Sequence, residues 1–375
     1  MTAIALAESP IRPSQLPLVQ SGDLANLDLL RAVAVGLVLF GHSFACMKIR
    51  GCGDLGHFGV LLFFVHTAFV LMGSMERLGV VGSRLYAVFT IRRLFRIYPL
   101  SILCVLVVVA FRVPSAPWIH GYAWDGWGTL VSNLLLTQNL TRSTSVNCVL
   151  WSLPFEVQMY LLLPLLFLWV IGTRSLWAVG GAWLLAVVIA MAEYLARAGT
   201  TDLGFLVTRY APCFMAGIFA WQFMRFRTPR FRGSQWVLLL VAAVVAYRLT
   251  DLLRVYGAGA LQFTPRADHQ IWWPVYLDLV RDWGFCLATG AAIPLFAQIR
   301  AKWLKGFSKT IAQYSYGIYV CHVPILWLCF FSWGIRPRMG ALALALALTG
   351  VVSAGVYRWI ENPAIRFGKR LAGQV

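Results

Sequence analysis

Within Leu27 to Phe44, LDLLRAVAVGLVLFGHSF, a long apolar run is broken by Arg31 and His42. Eleven residues separate them, about three helical turns, so on a helix both face one way, roughly 16 Å apart along the axis. A membrane-crossing helix is about 20 residues long, which puts Arg31 near one surface and His42 in the opposite half. An ionisable side chain inside a membrane is costly and marks a candidate functional position. An imidazole there is a candidate general base. The plainer alternatives are a snorkelling arginine and a histidine satisfied by an interhelical hydrogen bond.

Three further stretches carry polar side chains at helical spacing. In Thr90 to Pro99, TIRRLFRIYP, Arg93 and Arg96 share a face. Their forked donors match phosphate oxygens, although a plain positive-inside cluster would look the same. Trp151 to Pro164, WSLPFEVQMYLLLP, pairs Glu156 with Tyr160 at i, i+4. Counting from the expected helix start puts Glu156 at the depth of His42, where a carboxylate and an imidazole form a base–orienter dyad. A buried carboxylate needs a partner; the alternative partner, Arg31, lies at the wrong expected depth. Gln313 to Pro324, QYSYGIYVCHVP, steps from Tyr316 to Tyr319 to His322, either a cavity stripe or packing glue. His66, in FFVHTAFV, reads as a satisfied core histidine. His42, His57 and His66 lack metal-ligand spacing, and no metal is expected.

The elements that must position these groups are membrane helices. The chain is 60% hydrophobic and 12% charged, with a mean hydropathy of +0.73, which excludes a soluble class. Apolar runs and flanking charges give an all-α polytopic membrane protein of about ten transmembrane helices, at 27–46, 58–75, 97–112, 150–171, 177–196, 205–223, 235–249, 275–297, 311–333 and 339–359. An even count puts both termini on one side. Lys and Arg favour the loops of that side about two to one, which makes both termini cytoplasmic. The same bias toward the anionic leaflet accounts for the net charge of +18, so nucleic acid is not an expected partner.

Residues 1–26 are expected as a disordered cytoplasmic tail rather than a cleaved signal. Residues 27–360 form the membrane domain and 361–375 a second cytoplasmic tail, with no appended soluble domain. The exterior loop 113–149 holds Trp118, His120, Tyr122, Trp124, Asp125 and Trp127, a sugar-stacking platform or an interfacial aromatic belt. Its SNLLLTQNL portion suits a short helix on or within the bundle. Loop 250–274, with Asp268, His269, Trp272 and Trp273, poses the same choice. None of the eight cysteines forms a CxxC pair. Cys46, Cys52 and Cys148 fall in exterior loops, where an oxidising compartment would permit a bond from Cys148 to either of the others.

Together the four stretches resemble the bacterial membrane acyltransferase family 3, which puts acetyl and other acyl esters on exported glycans. The family's LDGLRAIAILLVVLFH is similar to LDLLRAVAVGLVLFGH here, and its GVDLFFVLSGFL to Gly59–Val70, GVLLFFVHTAFV. The RxxR-Y-P element matches Arg93, Arg96, Tyr98 and Pro99; WSLSVEEQFYLLLP matches Trp151 to Pro164, keeping Trp151, Ser152, Glu156, Gln158 and Tyr160. SYxxYLxHxP matches Ser315 to Pro324, and RxxExP matches Arg358, Glu361 and Pro363. The chain departs from the pattern at Leu61 for aspartate, His66 for leucine, Thr67-Ala68 for Ser-Gly and Pro154 for a small polar residue. These departures bear on the acceptor pocket more than on the chemistry.

The resemblance implies a ten-helix bundle with acyl-CoA offered from the cytoplasm and bound by Arg93 and Arg96. Arg31 and His42 become the essential pair, with His42 as general base or transient acyl carrier and Glu156 completing the catalytic set. Ser152, Gln158, Tyr160, Tyr316, Tyr319 and His322 are candidate substrate or oxyanion contacts. The expected activity is O-acyl transfer, most simply O-acetyl, from acetyl-CoA or another acyl-CoA to a hydroxyl of an exported or lipid-linked glycan or glycolipid. The expected place is the bacterial inner membrane, amid membrane lipid and polysaccharide-assembly proteins. The alternative from another class is a transporter or flippase of an acyl group, lipid or proton, with Arg31, His42 and Glu156 along its path. Such proteins often show inverted repeats, and no internal repeat is visible.

Overall fold

The computed structural model describes residues 24–49, 53–119, 121–196, 207–260 and 272–375. The N-terminal tail through Asp23, Cys52, His120, Asp268 and His269 lie outside the described residues. Thirteen helices follow in order: α1 Ala25–Cys46, α2 Gly53–Leu78, α3 Gly82–Ala110, α4 Gly126–Leu134, α5 Gln138–Thr141, α6 Leu153–Thr173, α7 Leu176–Ala196, α8 Ala211–Met224, α9 Gly233–Ala260, α10 Trp272–Ala292, α11 Lys302–Trp327, α12 Arg338–Val356 and α13 Asn362–Ala372. Among the described residues there is no strand beyond one isolated bridge, Phe231 to Phe296.

Among the described residues, eight helical segments are long and apolar enough to cross a membrane: α1, α2, α3, α6, α7, α9, α11 and the α12–α13 run. α8 is apolar but only 14 residues long, and α10 carries Asp278, Arg281 and Asp282 within its span. These ten segments follow the expected order. α7 turns Trp177, Leu184, Leu185 and Val188 outward, the surface a helix presents to lipid.

α2 runs through the middle, with α1 on one side and α8 on another. Lipid supplies no hydrophobic drive between helices, so close approach at small residues does the work. A Cβ on Gly59 would sit 2.5 Å from the Ala34 carbonyl oxygen of α1, and one on Gly217 only 2.2 Å from the Val65 oxygen of α2. Asn26 closes the N-terminal end. Its side-chain amide donates to the Phe296 and Ala297 carbonyls, and its side-chain oxygen accepts from the Ile299 amide at 3.1 Å. Trp236 Nε1 donates to its carbonyl, so this fully buried amide is satisfied on every side.

Several boundaries differ from the sequence expectation: α9 runs on to Ala260 instead of ending near 249, and α11 begins at Lys302 instead of near 311. The third helix begins at Gly82 rather than near 97, and Pro99 lies inside it. Polar Arg84, Arg92, Arg93 and Arg96 hid the start, since the apolar run opens only after them. Residues 362–372, expected as a tail, form α13, packed on α3 so closely that a Cβ on Gly368 would meet the Phe95 Cβ at 2.6 Å. The exterior loop is not a surface loop throughout. It folds back over α4 and α5: Gln138 Nε2 donates to the Leu150 carbonyl, and the Cys148 amide to the Ser115 carbonyl at 2.7 Å. Asn147 donates to the Val320 carbonyl of α11 at 3.1 Å. The turn Cys148–Ser152 is therefore already inside the bundle when α6 begins.

Candidate active site

That re-entry decides where Glu156 goes. Ser152 meets the Tyr319 hydroxyl at 2.7 Å, and Tyr319 donates onward to the Val149 carbonyl at 2.7 Å. One turn deeper, Glu156 reaches the level of Ser315 and Tyr316 instead of that of His42. There it lines a cavity of about 90 Å3 with Arg31, Arg93, Arg96, Tyr160 and His66. The expected Glu156–His42 dyad does not form. Glu156 accepts from the Tyr160 hydroxyl at 2.6 Å.

The cavity is rich in cations. Arg31 Nε donates to Ser315 Oγ at 2.6 Å. Arg96 pairs with Glu361 at 3.0 Å and lies over the Tyr316 ring at 5.7 Å. Arg93 lies over Phe89, and its Nε has no protein partner among the described residues. Three guanidinium groups against Glu156 and Glu361 leave one positive charge in excess (3 − 2 = 1). A buried excess charge of that kind favours an anionic ligand. Glu361 reaches Arg96 because the helix between α12 and α13 widens into a π turn at Tyr357–Glu361, a local change frequent at functional sites.

His42 stands outside this cavity. Its Nδ1 lies 3.0 Å from the Val38 carbonyl and 3.0 Å from His322 Nε2. His322 Nδ1 lies 2.9 Å from the Ile318 carbonyl, so that nitrogen carries the proton and donates. His322 Nε2 is then a lone pair, and His42 Nδ1–H donates to it and to Val38. The arrangement leaves His42 Nε2 as an unprotonated acceptor, the state a general base needs. The orienting partner of His42 is thus His322, not a carboxylate. Trp118 stacks on the His42 ring at 5.8 Å and 11°. Tyr319 joins the two stations: it lines the arginine cavity and its ring lies 6.4 Å from that of His322.

Of the residues singled out in the sequence, Arg31, Arg93, Arg96, Ser152, Glu156, Tyr160, Tyr316 and Tyr319 share the cavity, and His42 and His322 pair beside it. Tyr316 spends its proton on the Ile97 carbonyl. Gln158 belongs to neither station; it donates to Asn139 and braces α6 against α5. Ser315, Glu361 and Trp118 acquire partners within the site that the sequence reading did not assign. The first two sit inside the motifs quoted above, a signal that was available. Cys46 and Cys148 are free thiols.

A second polar cluster lies across α2. His57 Nε2 meets Asp282 at 2.9 Å, and Asp282 accepts from Tyr247 at 2.8 Å and from Arg281 at 3.2 Å. Trp151 stacks on His57 at 6.0 Å. This network explains how α10 keeps three charges among apolar helices.

Fold and site define a multi-pass helical membrane protein whose core holds a cationic cavity next to a pair of histidines. The family model described as "Acyltransferase domain" matches residues 24–358, and the chain belongs to that family, the membrane acyltransferase family 3. It is a membrane acyltransferase. No curated protein and no solved structure matches the chain.

Proposed function

We propose that the protein is an O-acyltransferase, most simply an O-acetyltransferase, that moves an acyl group from cytoplasmic acyl-CoA to a hydroxyl of an exported or lipid-linked glycan. One observation carries the reading: a narrow cationic cavity leads along α2 to within one residue contact of a histidine poised as a base. Its lining on α2 runs from Leu71 to Val60, eleven residues or roughly 16 Å. Arg93 and Arg96, with Arg31 beside them, hold the phosphates of the donor, and its extended arm follows the cavity toward Ser152 and Tyr319. The acceptor hydroxyl lies against His42, with the Trp118 ring as a face for the sugar.

In the transfer step, His42 Nε2 takes the hydroxyl proton as the oxygen attacks the thioester carbonyl carbon. The carbon–sulfur bond breaks and the CoA thiolate leaves. The imidazolium so formed keeps its Nδ1–H on His322. A base of this kind contributes about 10²–10⁴-fold. The cytoplasmic placement of both termini and the setting in a bacterial inner membrane belong to the same proposal, supported by the distribution of Lys and Arg.

The test is acetyl-CoA binding to the detergent-purified protein, wild type against the Arg93→Ala, Arg96→Ala double variant. Binding that the variant loses supports the donor assignment. A folded wild type that binds no acetyl-CoA overturns it and favours a conducting pathway. His42→Ala is expected to leave the protein inserted and folded while abolishing the glycan ester; normal ester in that variant sinks the base assignment.

A further inference from the structure

His66 is the one described histidine without a hydrogen-bond partner among the described residues. His42, His57 and His322 each have one at 3.0 Å or less. His66 is 4% exposed and lines the arginine cavity midway along α2, between Val60 and Leu71. The expectation of a satisfied core histidine is therefore not met. Its ring nitrogens are not among the sealed polar atoms that lack a partner, so they open onto the cavity, where their hydrogen bonds must be supplied by whatever enters it. The face of α2 next to it is fixed, because Val65 and Phe69 press on Gly217 of α8. His66 cannot rotate out to lipid without breaking that contact.

The chemistry of the wall narrows what the partner is. The guanidinium groups of Arg31, Arg93 and Arg96 only donate, and an ionised Glu156 only accepts. Phe63, Phe64 and Val70 offer neither. A neutral imidazole offers one donor and one acceptor, the complement of a secondary amide. A long, narrow cavity suits an extended chain. Coenzyme A carries two secondary amides in such a chain, between its phosphates and its thioester.

Building on the acyl-CoA reading, we infer that His66 recognises the donor by hydrogen-bonding an amide of its pantetheine arm. The arginines then read the phosphates and His66 reads the arm. Together they set how far the thioester extends toward Tyr319 and His42. His66 is in this sense a specificity residue of the donor, placed where leucine stands in the family pattern.

The experiment is calorimetric titration of wild type, His66→Leu and His66→Gln with three probes: acetyl-CoA, acetyl-pantetheine and adenosine 3′,5′-bisphosphate. The leucine variant is expected to bind acetyl-CoA and acetyl-pantetheine about tenfold more weakly and the bisphosphate as wild type does. Glutamine, with its own donor and acceptor, is expected to recover most of the loss. Unchanged acetyl-CoA binding in the leucine variant overturns the inference. So does an equal loss for the bisphosphate, or a glutamine variant no better than leucine. If leucine does not yield a monodisperse protein, His66→Met takes its place with the same expectations. A wild type that binds none of the three probes overturns the acyl-CoA reading itself, a different failure.

Discussion

His322 gives the His42 station its direction. It accepts from His42 and is itself locked by the Ile318 carbonyl. His322→Ala leaves His42 Nδ1 with the Val38 carbonyl alone, and the ring free to turn. The expected outcome is a transfer rate lower by about 10²-fold or more, with acetyl-CoA binding unchanged, read from labelled acetyl incorporation and a binding isotherm on the same preparation. A parallel loss of binding would instead give His322 a packing role. Glu361 makes the opposite kind of prediction. Removing it strands the partly buried Arg96 charge, a change whose cost is at most the roughly 3–5 kcal/mol of a fully buried pair. Glu361→Ala is expected to lower the melting temperature in detergent, and an unchanged melting curve would show that Tyr316 and lipid headgroups suffice for Arg96. The residues of both stations were legible in the sequence as types and spacings. Their pairing was not, because i, i+4 counting fixes a face of one helix and says nothing about how deep its neighbour enters.

At the scale of elements, depth is set by the stretch from Arg112 to Ser152. An apolar-run reading gives α6 a start at the surface and so lifts Glu156 to the level of His42. The buried bonds of Gln138, Asn147 and Cys148 set that start inside the bundle. The start of α3 was lost for a related reason: Arg93 and Arg96 point into the cavity, where hydropathy counts them as loop. The order of the eight long apolar helices was legible throughout, since a run that crosses the hydrocarbon needs about 20 apolar residues. What clamps them is finer than hydropathy. Gly217→Ala forces a methyl against the Val65 oxygen and the Ala68 Cβ. The expected cost is about 1–3 kcal/mol, visible as a lower apparent melting temperature, with acetyl-CoA binding weakened in step because α2 carries both that contact and His66. Gly172→Ala, at a position open on all sides, is the matched control and should leave both unchanged.

For the whole molecule, the two stations lie toward opposite ends of α1, so sidedness decides what each can meet. The Lys and Arg distribution predicts the Arg31 end inside. A fluorescent protein fused after Val375 is expected to be bright, and alkaline phosphatase fused after Lys48 to be active. The reversed pattern would put the arginine cavity on the side where no acyl-CoA is available, and the donor assignment would fall with it.

The cavity draws on both ends of the chain, and that bears on how the protein comes into being. Arg31 finds Ser315, Asn26 finds Ile299 and Arg96 finds Glu361, partners 265–284 residues apart. At about 5–20 residues per second of synthesis, Arg31 waits roughly 15–60 s in the membrane before its partner exists. Every nascent chain thus passes through a stage in which the arginines of the cavity are orphan charges. Completion of α11 ends that stage for Arg31, and Arg96 waits further for Glu361. The contact that joins α1 to α11 is thus among the last the chain can make.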